Sequence, residues 1–235
     1  MLGSMKTLAI ETSCAAGSVC LSDGEEILQQ RYLGEGMIHG RELIPAVRDI
    51  MKEQDWSPTD LELIAVSLGP GSFTGLRVGL AAAKTLAMTC EAELVGVPTL
   101  EVMARNAPDD AEFVCPMTDA RRKEVNACLF QREGDEIKAC WEYQTFPPTE
   151  LCEKLPSGTW LLGDGLKAYE DAFNARQDLR KLEENSWYAR SQWVARLGYR
   201  KCLAGEADDP HSLVPIYLRL PPVMEKLAKA ATKSI

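Results

Sequence analysis

Histidine is nearly absent from this chain: among 235 residues only His39 and His211 occur. A His-based metal centre therefore has little to draw on. An excess of positive charge is absent too. Lys and Arg total 26 against 35 Asp and Glu, a formal charge of −9. A protein whose main task is gripping phosphate backbones needs clustered Lys and Arg, so the overall balance argues against that task. No secretory leader opens the sequence, and no run of about 18 apolar residues is present to span a bilayer. The eight cysteines (14, 20, 90, 115, 128, 140, 152 and 202) include no CxxC pair, which removes zinc-ribbon and thioredoxin readings. Most lie in apolar runs, where a thiol acts as a small hydrophobe. The expectation is a reduced, cytoplasmic protein.

What is present is the composition of a soluble globular protein, 46% hydrophobic and 26% charged. The length suits one large domain or two small ones. Met1–Ser4 precede a second methionine and read as an added leader outside the fold. Residues 6–13, 18–23 and 26–33 read as strands, the last two joined by the Asp23-Gly24 hairpin signal. A helical period follows over about 40–54, in which Pro45 marks a later start or a kink. A strand at 62–68, a long helix to about Cys90, a strand at 94–97 and a helix over about 99–106 complete a first half. Asn106–Asp110 reads as the boundary. The second half opens with strands at 113–118, 124–131 and 136–145, then a short helix near 148–155, a strand at 159–163, a helix from about 166 and a helix from Tyr188 to Gly205. Each half starts with three strands and adds βα units, a pattern of internal duplication.

The most informative stretch is Ser67-Leu-Gly-Pro-Gly-Ser-Phe-Thr-Gly-Leu-Arg-Val-Gly79. It follows a strand and opens a helix, the context of phosphate sites. It lacks the Walker A lysine after Gly75, and Thr74 stands where a G-x-G-x-x-G pattern needs its third glycine. Gly71, Gly75, Gly79, Ala83 and Ala87 recur every four residues and make one bare helical stripe. Each helix-interior glycine costs about 1 kcal/mol relative to alanine, so something must approach closely. Two readings stay open: packing within the monomer, or a subunit interface. The interface reading predicts that Gly75→Leu or Gly79→Leu breaks pairing and spares the monomer. His39, with Arg41 and Glu42, sits at a helix start, as a solvated or capping residue or as a polar contact. Asp119-Ala-Arg-Arg-Lys-Glu124 reads as a solvated charged hairpin or as an anion or partner contact. Gly163-Asp164-Gly165 is a tight turn able to approach a phosphate.

Leu8-Ala-Ile-Glu-Thr-Ser13, the Ser67–Gly79 segment, Asp119-Ala-Arg121 and Pro215-Ile-Tyr-Leu-Arg219 together resemble the TsaB (YeaZ) family of bacterial threonylcarbamoyl-adenosine tRNA modification. The resemblance covers roughly residues 5–220, and the Ser67–Gly79 segment is its most specific part. It implies an α/β fold of the actin-like/Hsp70-like ATPase (ribonuclease H-like) class, two lobes with related βββαβα cores. The implied lobes are 5–106, carrying the partner-binding helices, and 107–220, followed by a basic tail at 221–235. The implied role is a non-catalytic subunit that pairs with the catalytic relative TsaD and helps recruit the ATPase TsaE. It also implies self-pairing when alone, contact with tRNA only through the partner, and no membrane. The positions implied for partner binding are His39, Arg41, Glu42, Gly71, Phe73, Gly75, Leu76, Gly79 and Ala83.

TsaD carries His-x-x-x-His after a Gly-Val strand end to hold a metal. Here Gly96-Val-Pro-Thr99-Leu-Glu-Val-Met103 puts Thr99 and Met103 at those places, poor ligands for a hard or borderline cation, so no metal is expected. Actin-like ATPases place an acid and Gly-Thr in the first turn. Glu11-Thr-Ser-Cys-Ala-Ala-Gly17 keeps the acid but not the glycine. Thr12, Ser13, Gly163, Asp164 and Gly165 are the positions to test for ATP or ADP. A stand-alone ATPase or kinase is the rival reading. A peptidase is a weaker one, since neither histidine has a motif around it.

Overall fold

The computed structural model describes residues 4–34 and 39–219, with the His39 side chain outside the described atoms. Expectations for the 221–235 tail lie outside the described residues. In the first half, β1 (Lys6–Glu11), β2 (Ser18–Asp23) and β3 (Glu26–Tyr32) form a meander. There follow α1 (His39–Glu53), β4 (Leu63–Gly69), α2 (Phe73–Cys90), β5 (Glu93–Pro98) and α3 (Thr99–Ala104). The sheet order is β3-β2-β1-β4-β5, antiparallel through β1 and parallel from β1 to β5. Pro45 is accommodated inside α1, exposed, rather than delaying the helix start.

The second half repeats the plan. Its strands β6 (Phe113–Arg121), β7 (Glu124–Ala127), β8 (Phe130–Glu133), β9 (Glu136–Ala139) and β10 (Gln144–Phe146) precede α4 (Pro148–Lys154) and β11 (Trp160–Leu162). Then come α5 (Asp164–Ala168), α6 (Glu170–Asn174), β12 (Arg180–Lys181) and α7 (Ser191–Leu203). The order β10-β7-β6-β11-β12 matches the first sheet position for position, again antiparallel on one side of the central strand and parallel on the other. The duplication inferred from pattern is therefore real at the level of topology, and the fold is the actin-like one. Two expected strands are split, 124–131 into β7 and β8 and 136–145 into β9 and β10. β6 pairs with β7 near its end and with β8 near its start, so the chain breaks at Cys128-Leu129 to serve both halves of one long partner.

Strand alternation sends side chains into two cores. Leu8, Ile10, Ile64, Val66 and Leu94 pack beneath α1 and α2. Ala9, Ala65, Val95 and Val97 face the other way, into a cluster with Val194, Ala195, Leu197 and Tyr199 of α7. The small residues let α7 lie close: a Cβ on Gly198 would come within 2.5 Å of the Ala65 Cβ. The same cluster takes in Leu100, Val102 and Met103 of α3 and Val114 and Leu162 of the second sheet. The far face of the second sheet, including Met117, Val125 and Leu161, is covered by Leu151, Leu166 and Phe173 of α4–α6.

This corrects the expected division at its C-terminal end. Residues 107–220 are not one lobe, because α7 and the chain after it return to the first sheet. Asp208 N–H donates to Leu94 O at 2.7 Å, Gly96 N–H donates to the Asp208 carboxylate, and Ile216 N–H donates to Leu68 O at 2.8 Å. Arg105, at the end of α3, ties the lobes from the other side by donating to Asp135 O and pairing with Glu136.

Candidate functional site

The glycine stripe of α2 faces inward. Ser72 caps the helix by accepting from Gly75 N–H at 3.2 Å. The first turn then rests on the loop that leaves β1. An added Cβ would lie 2.2 Å from Ser13 O at Gly71, 2.0 Å from Thr12 O at Gly75 and 2.1 Å from Thr12 Oγ1 at Gly79. Thr12 Oγ1 donates to Gly75 O at 2.8 Å, and Ser72 N–H donates to Ser13 O at 2.7 Å. Leu76 and Ala83 are buried as well. Of the two readings of the stripe, packing within the monomer is the one the structure supports. Gly75, Leu76, Gly79 and Ala83 are corrected as direct partner contacts, and the expectation that bulky substitutions there spare the monomer is reversed. Gly71 is solvent-exposed, but its missing Cβ also serves the β1 turn.

The exposed side of these two helices is what remains for a partner. Arg41, Ile44, Pro45 and Arg48 lie on α1; Phe73, Arg77, Ala81, Thr85 and Met88 lie on α2. Ile44 is 53% exposed, Met88 50% and Phe73 37%. The helices pack together where Gly40 meets Val78. Glu42 is turned to its own chain, accepting from Gly34 N–H at 2.7 Å.

Phe73 belongs to a small stack that the sequence did not disclose. The Arg77 guanidinium lies 3.8 Å from the Phe73 ring centroid, and its Nε donates to Tyr217 Oη at 3.2 Å. Tyr217 also packs on Phe73, ring centroids 5.2 Å apart. The Pro215–Arg219 motif is thus a strap laid over the Ser67–Gly79 motif. Two segments singled out separately in the sequence are one structural unit. The clue was there as two unexplained motifs, but nothing in their spacing joined them.

The groups expected for a nucleotide are engaged within the chain. Ser13 N–H and Oγ both donate to Glu11 Oε1 at 2.5 Å. Gly163, at φ 109°, lets β6 approach, since a Cβ there would sit 2.0 Å from Met117 O. Gly165 packs on Val125, Met117 and Thr118. Asp164 accepts from Asp119 N–H at 3.0 Å, and burial lifts its carboxyl above the ordinary range. The expected metal positions are also committed. Thr99 Oγ1 accepts from Gly69 N–H at 3.0 Å, and Met103 is buried with its methyl group at Gly163. Among the described residues, no three of His, Cys, Asp and Glu are grouped to hold a metal ion, and no helix is long and apolar enough to cross a membrane. The donor set does not fit the relative's metal.

Glu11 is fully buried, and its Oε2 has no hydrogen-bond partner among the described residues. Desolvation raises its pKa above the usual carboxylate value despite the Ser13 hydrogen bonds, and burial beside it pushes the Cys14 thiol well up. An acid whose folded pKa is raised binds its proton more tightly in the native state. Glu11 therefore costs no stability below its unfolded pKa and costs progressively more as pH rises through the folded value. Glu11→Gln keeps the Oε1 acceptor and replaces the orphan oxygen with a donor near the Ser67 hydroxyl. Thermal unfolding of this variant is expected to show a higher midpoint than the parent at pH 7, the difference closing by pH 4. A midpoint lowered at both pH values would show that the carboxylate is needed.

Residues 37–173 match the family model described as TsaD: tRNA N6-adenosine threonylcarbamoyltransferase. The chain is 30% identical over 223 residues to the Bacillus subtilis tRNA threonylcarbamoyladenosine biosynthesis protein TsaB, covering 92% of this chain and 95% of that one. It belongs to the TsaB (YeaZ) family. The Escherichia coli TsaB is 34% identical over 179 residues, 71% of this chain and 74% of its own. Among solved structures, YeaZ from Pseudomonas aeruginosa superposes with a TM-score of 0.81 at 26% identity, over 91% of this chain and all of that one. The family's relationship to TsaD accounts for a TsaD-type match in a chain whose Thr99 and Met103 are buried in its own core.

Proposed function

We propose that this chain is a non-catalytic subunit in the formation of N6-threonylcarbamoyladenosine in tRNA. It pairs with a TsaD-type catalytic subunit in the cytoplasm and helps recruit TsaE. The relatives named for this biosynthesis support the role. The single structural observation that carries it is the α1–α2 surface, where Ile44, Met88 and Phe73 stay exposed. Large apolar side chains grouped on one face are what a helical interface uses for anchors. Such a face also favours self-pairing in the absence of the partner. His39 and Arg41, at the start of α1, belong to the same edge. ATP or ADP is not assigned to the β1 turn, because Thr12 and Ser13 spend their polar groups on α2 and Glu11.

Modification of a tRNA transcript reconstituted from separate subunits tests the role. Omitting this chain is expected to lower product by at least about a hundredfold, the scale on which a missing structural subunit disables an assembled site. Unchanged product without it would refute the proposal.

A further inference from the structure

A charged cavity opens on the side of the first sheet opposite α1 and α2. Its charged walls are Glu101 of α3 and Arg105 just after it, Glu136 of β9, Arg200 and Lys201 of α7, and Glu206 beyond that helix. Leu197 and Ala204 complete the lining. Glu136 is carried by the second sheet while α7 packs on the first, so the cavity spans the joint between the sheets. Its volume is about 220 Å³, below the roughly 300–1,000 Å³ of pockets that take drug-sized ligands. It has room for a small molecule and not for a nucleotide.

Three cations face three carboxylates, yet they do not close on one another. Lys201 Nζ lies 3.9 Å from Glu101 and 3.8 Å from Glu206. Glu136 lies 3.6 Å from the Arg105 guanidinium and 3.7 Å from that of Arg200. A charge-assisted N–H···O bond runs at about 2.7–2.9 Å, so none of the four is one. The same Arg200 reaches Glu25, which does not line the cavity, at 2.6 Å. Arg105 is the buried member, its side chain 7% exposed. Its Nη1 donates to Asp135 O, but its Nε has no hydrogen-bond partner among the described residues. A buried donor left unpaired is destabilising and calls for an acceptor. Glu101, its side chain 18% exposed, has the opposite need. Burial lifts its carboxyl above the ordinary range although Lys201 and Arg105 oppose the shift.

We propose that this cavity binds a small zwitterion of the α-amino-acid class. Its carboxylate pairs with the Arg105 and Arg200 guanidiniums, the geometry in which arginine binds carboxylates best, and its ammonium pairs with Glu101. The even balance of charge selects this class. A lone anion in the cavity meets three carboxylates, and a lone cation meets three basic groups. A molecule carrying both charges finds a complement for each, and like-charge contacts reject the rest. The volume and the Leu197 and Ala204 walls favour a short side chain. Bound across the joint, the zwitterion links α3 and α7 to β9, and it stabilises the folded chain by mass action. The proposal is independent of the role in tRNA modification.

The test is isothermal titration calorimetry of the full chain with glycine, L-alanine, L-serine and L-leucine at millimolar concentrations, with melting midpoints as a second readout. Acetate and methylammonium each carry one half of the zwitterion, and N-acetylglycine lacks the ammonium. Saturable heat and a raised midpoint are expected with the small amino acids, less with leucine, and neither with the three incomplete probes. Glu101→Gln keeps the shape of the side chain and removes its charge, and Arg200→Gln removes the more exposed guanidinium. Each is expected to raise the dissociation constant at least about tenfold, the scale of one hydrogen bond to a charged group. The midpoint of ligand-free Glu101→Gln should equal or exceed that of the parent, which shows that the loss is not one of folding. Absence of heat and of a midpoint shift with every amino acid overturns the proposal. So does an equal response to acetate or methylammonium, which marks an effect of salt on the charged walls. Undiminished affinity in both variants overturns it as well.

Discussion

Gly75→Ala is expected to lower the melting midpoint by about 6–12 °C. Alanine in a helix interior ordinarily gains about 1 kcal/mol over glycine. At Gly75 the new methyl would sit 2.0 Å from Thr12 O, a backbone atom. That atom has nowhere to go, because Thr12 Oγ1 is bonded to Gly75 O and Ser13 O to Ser72 N–H. The helix would have to lift from β1, opening the layer that holds Ile10, Leu80 and Ala83. Overpacking against a fixed backbone atom lies at the upper end of the usual range, about 3 kcal/mol, and each kcal/mol is worth about 2–4 °C in a domain of this size. Gly40→Ala is the matched control, since its Cβ would meet Val78 at an ordinary 3.7 Å; its midpoint should stay within a degree or two. Differential scanning calorimetry of the two variants decides the matter. Equal midpoints would mean that α2 does not press on the β1 turn.

Ile44→Glu is expected to act in the opposite sense, sparing the fold and abolishing pairing. Ile44 is half exposed on α1, and its replacement leaves the buried residues Leu43, Val47 and Ile50 in place. If α1 and α2 form the joint surface, the new carboxylate must be desolvated against an apolar partner. A central anchor of an interface is worth about 2 kcal/mol or more, so the dissociation constant should rise at least about thirtyfold. Met88→Glu on α2 should behave alike. Sedimentation equilibrium of the chain alone and with its catalytic partner reads this out. Pairing of undiminished strength in both variants would place the interface elsewhere.

Much of the architecture was legible because strand and helix periods are local. The first three-strand opening, the long α2 and the hairpins at Gly24 and Gly134 stand where pattern put them, whereas the second opening has five strands in place of three. The regular spacing of Gly71, Gly75 and Gly79 correctly announced a close approach but not by what. A glycine stripe looks the same whether the approaching backbone belongs to the same chain or another. Residue Thr12, which fills it, lies 63 positions from Gly75. The destination of α7 was illegible for a similar reason. Its apolar face states that it must be covered, and only the alternation of Ala9 and Ala65 with larger neighbours hinted that a helix would lie there. The Phe73–Arg77–Tyr217 stack joins residues 140 positions apart, beyond any periodic signal. In the sequence Glu11 reads as an acid in a first turn. Its complete burial follows from the layers above and below β1, which the strand alone does not specify.

The return of α7 to the first sheet has a consequence for synthesis. When the first 106 residues have left the ribosome, β1 to β5 can pair and α1 and α2 can cover one face. The other face, with Ala9, Ala65, Val95 and Val97, has only α3 against it until residues 191–203 emerge. The strap that closes over α2 comes later still, at Ile216 and Tyr217. The nascent chain therefore carries an incompletely covered first sheet throughout the synthesis of the second, and segments made after the second sheet complete the first lobe begun.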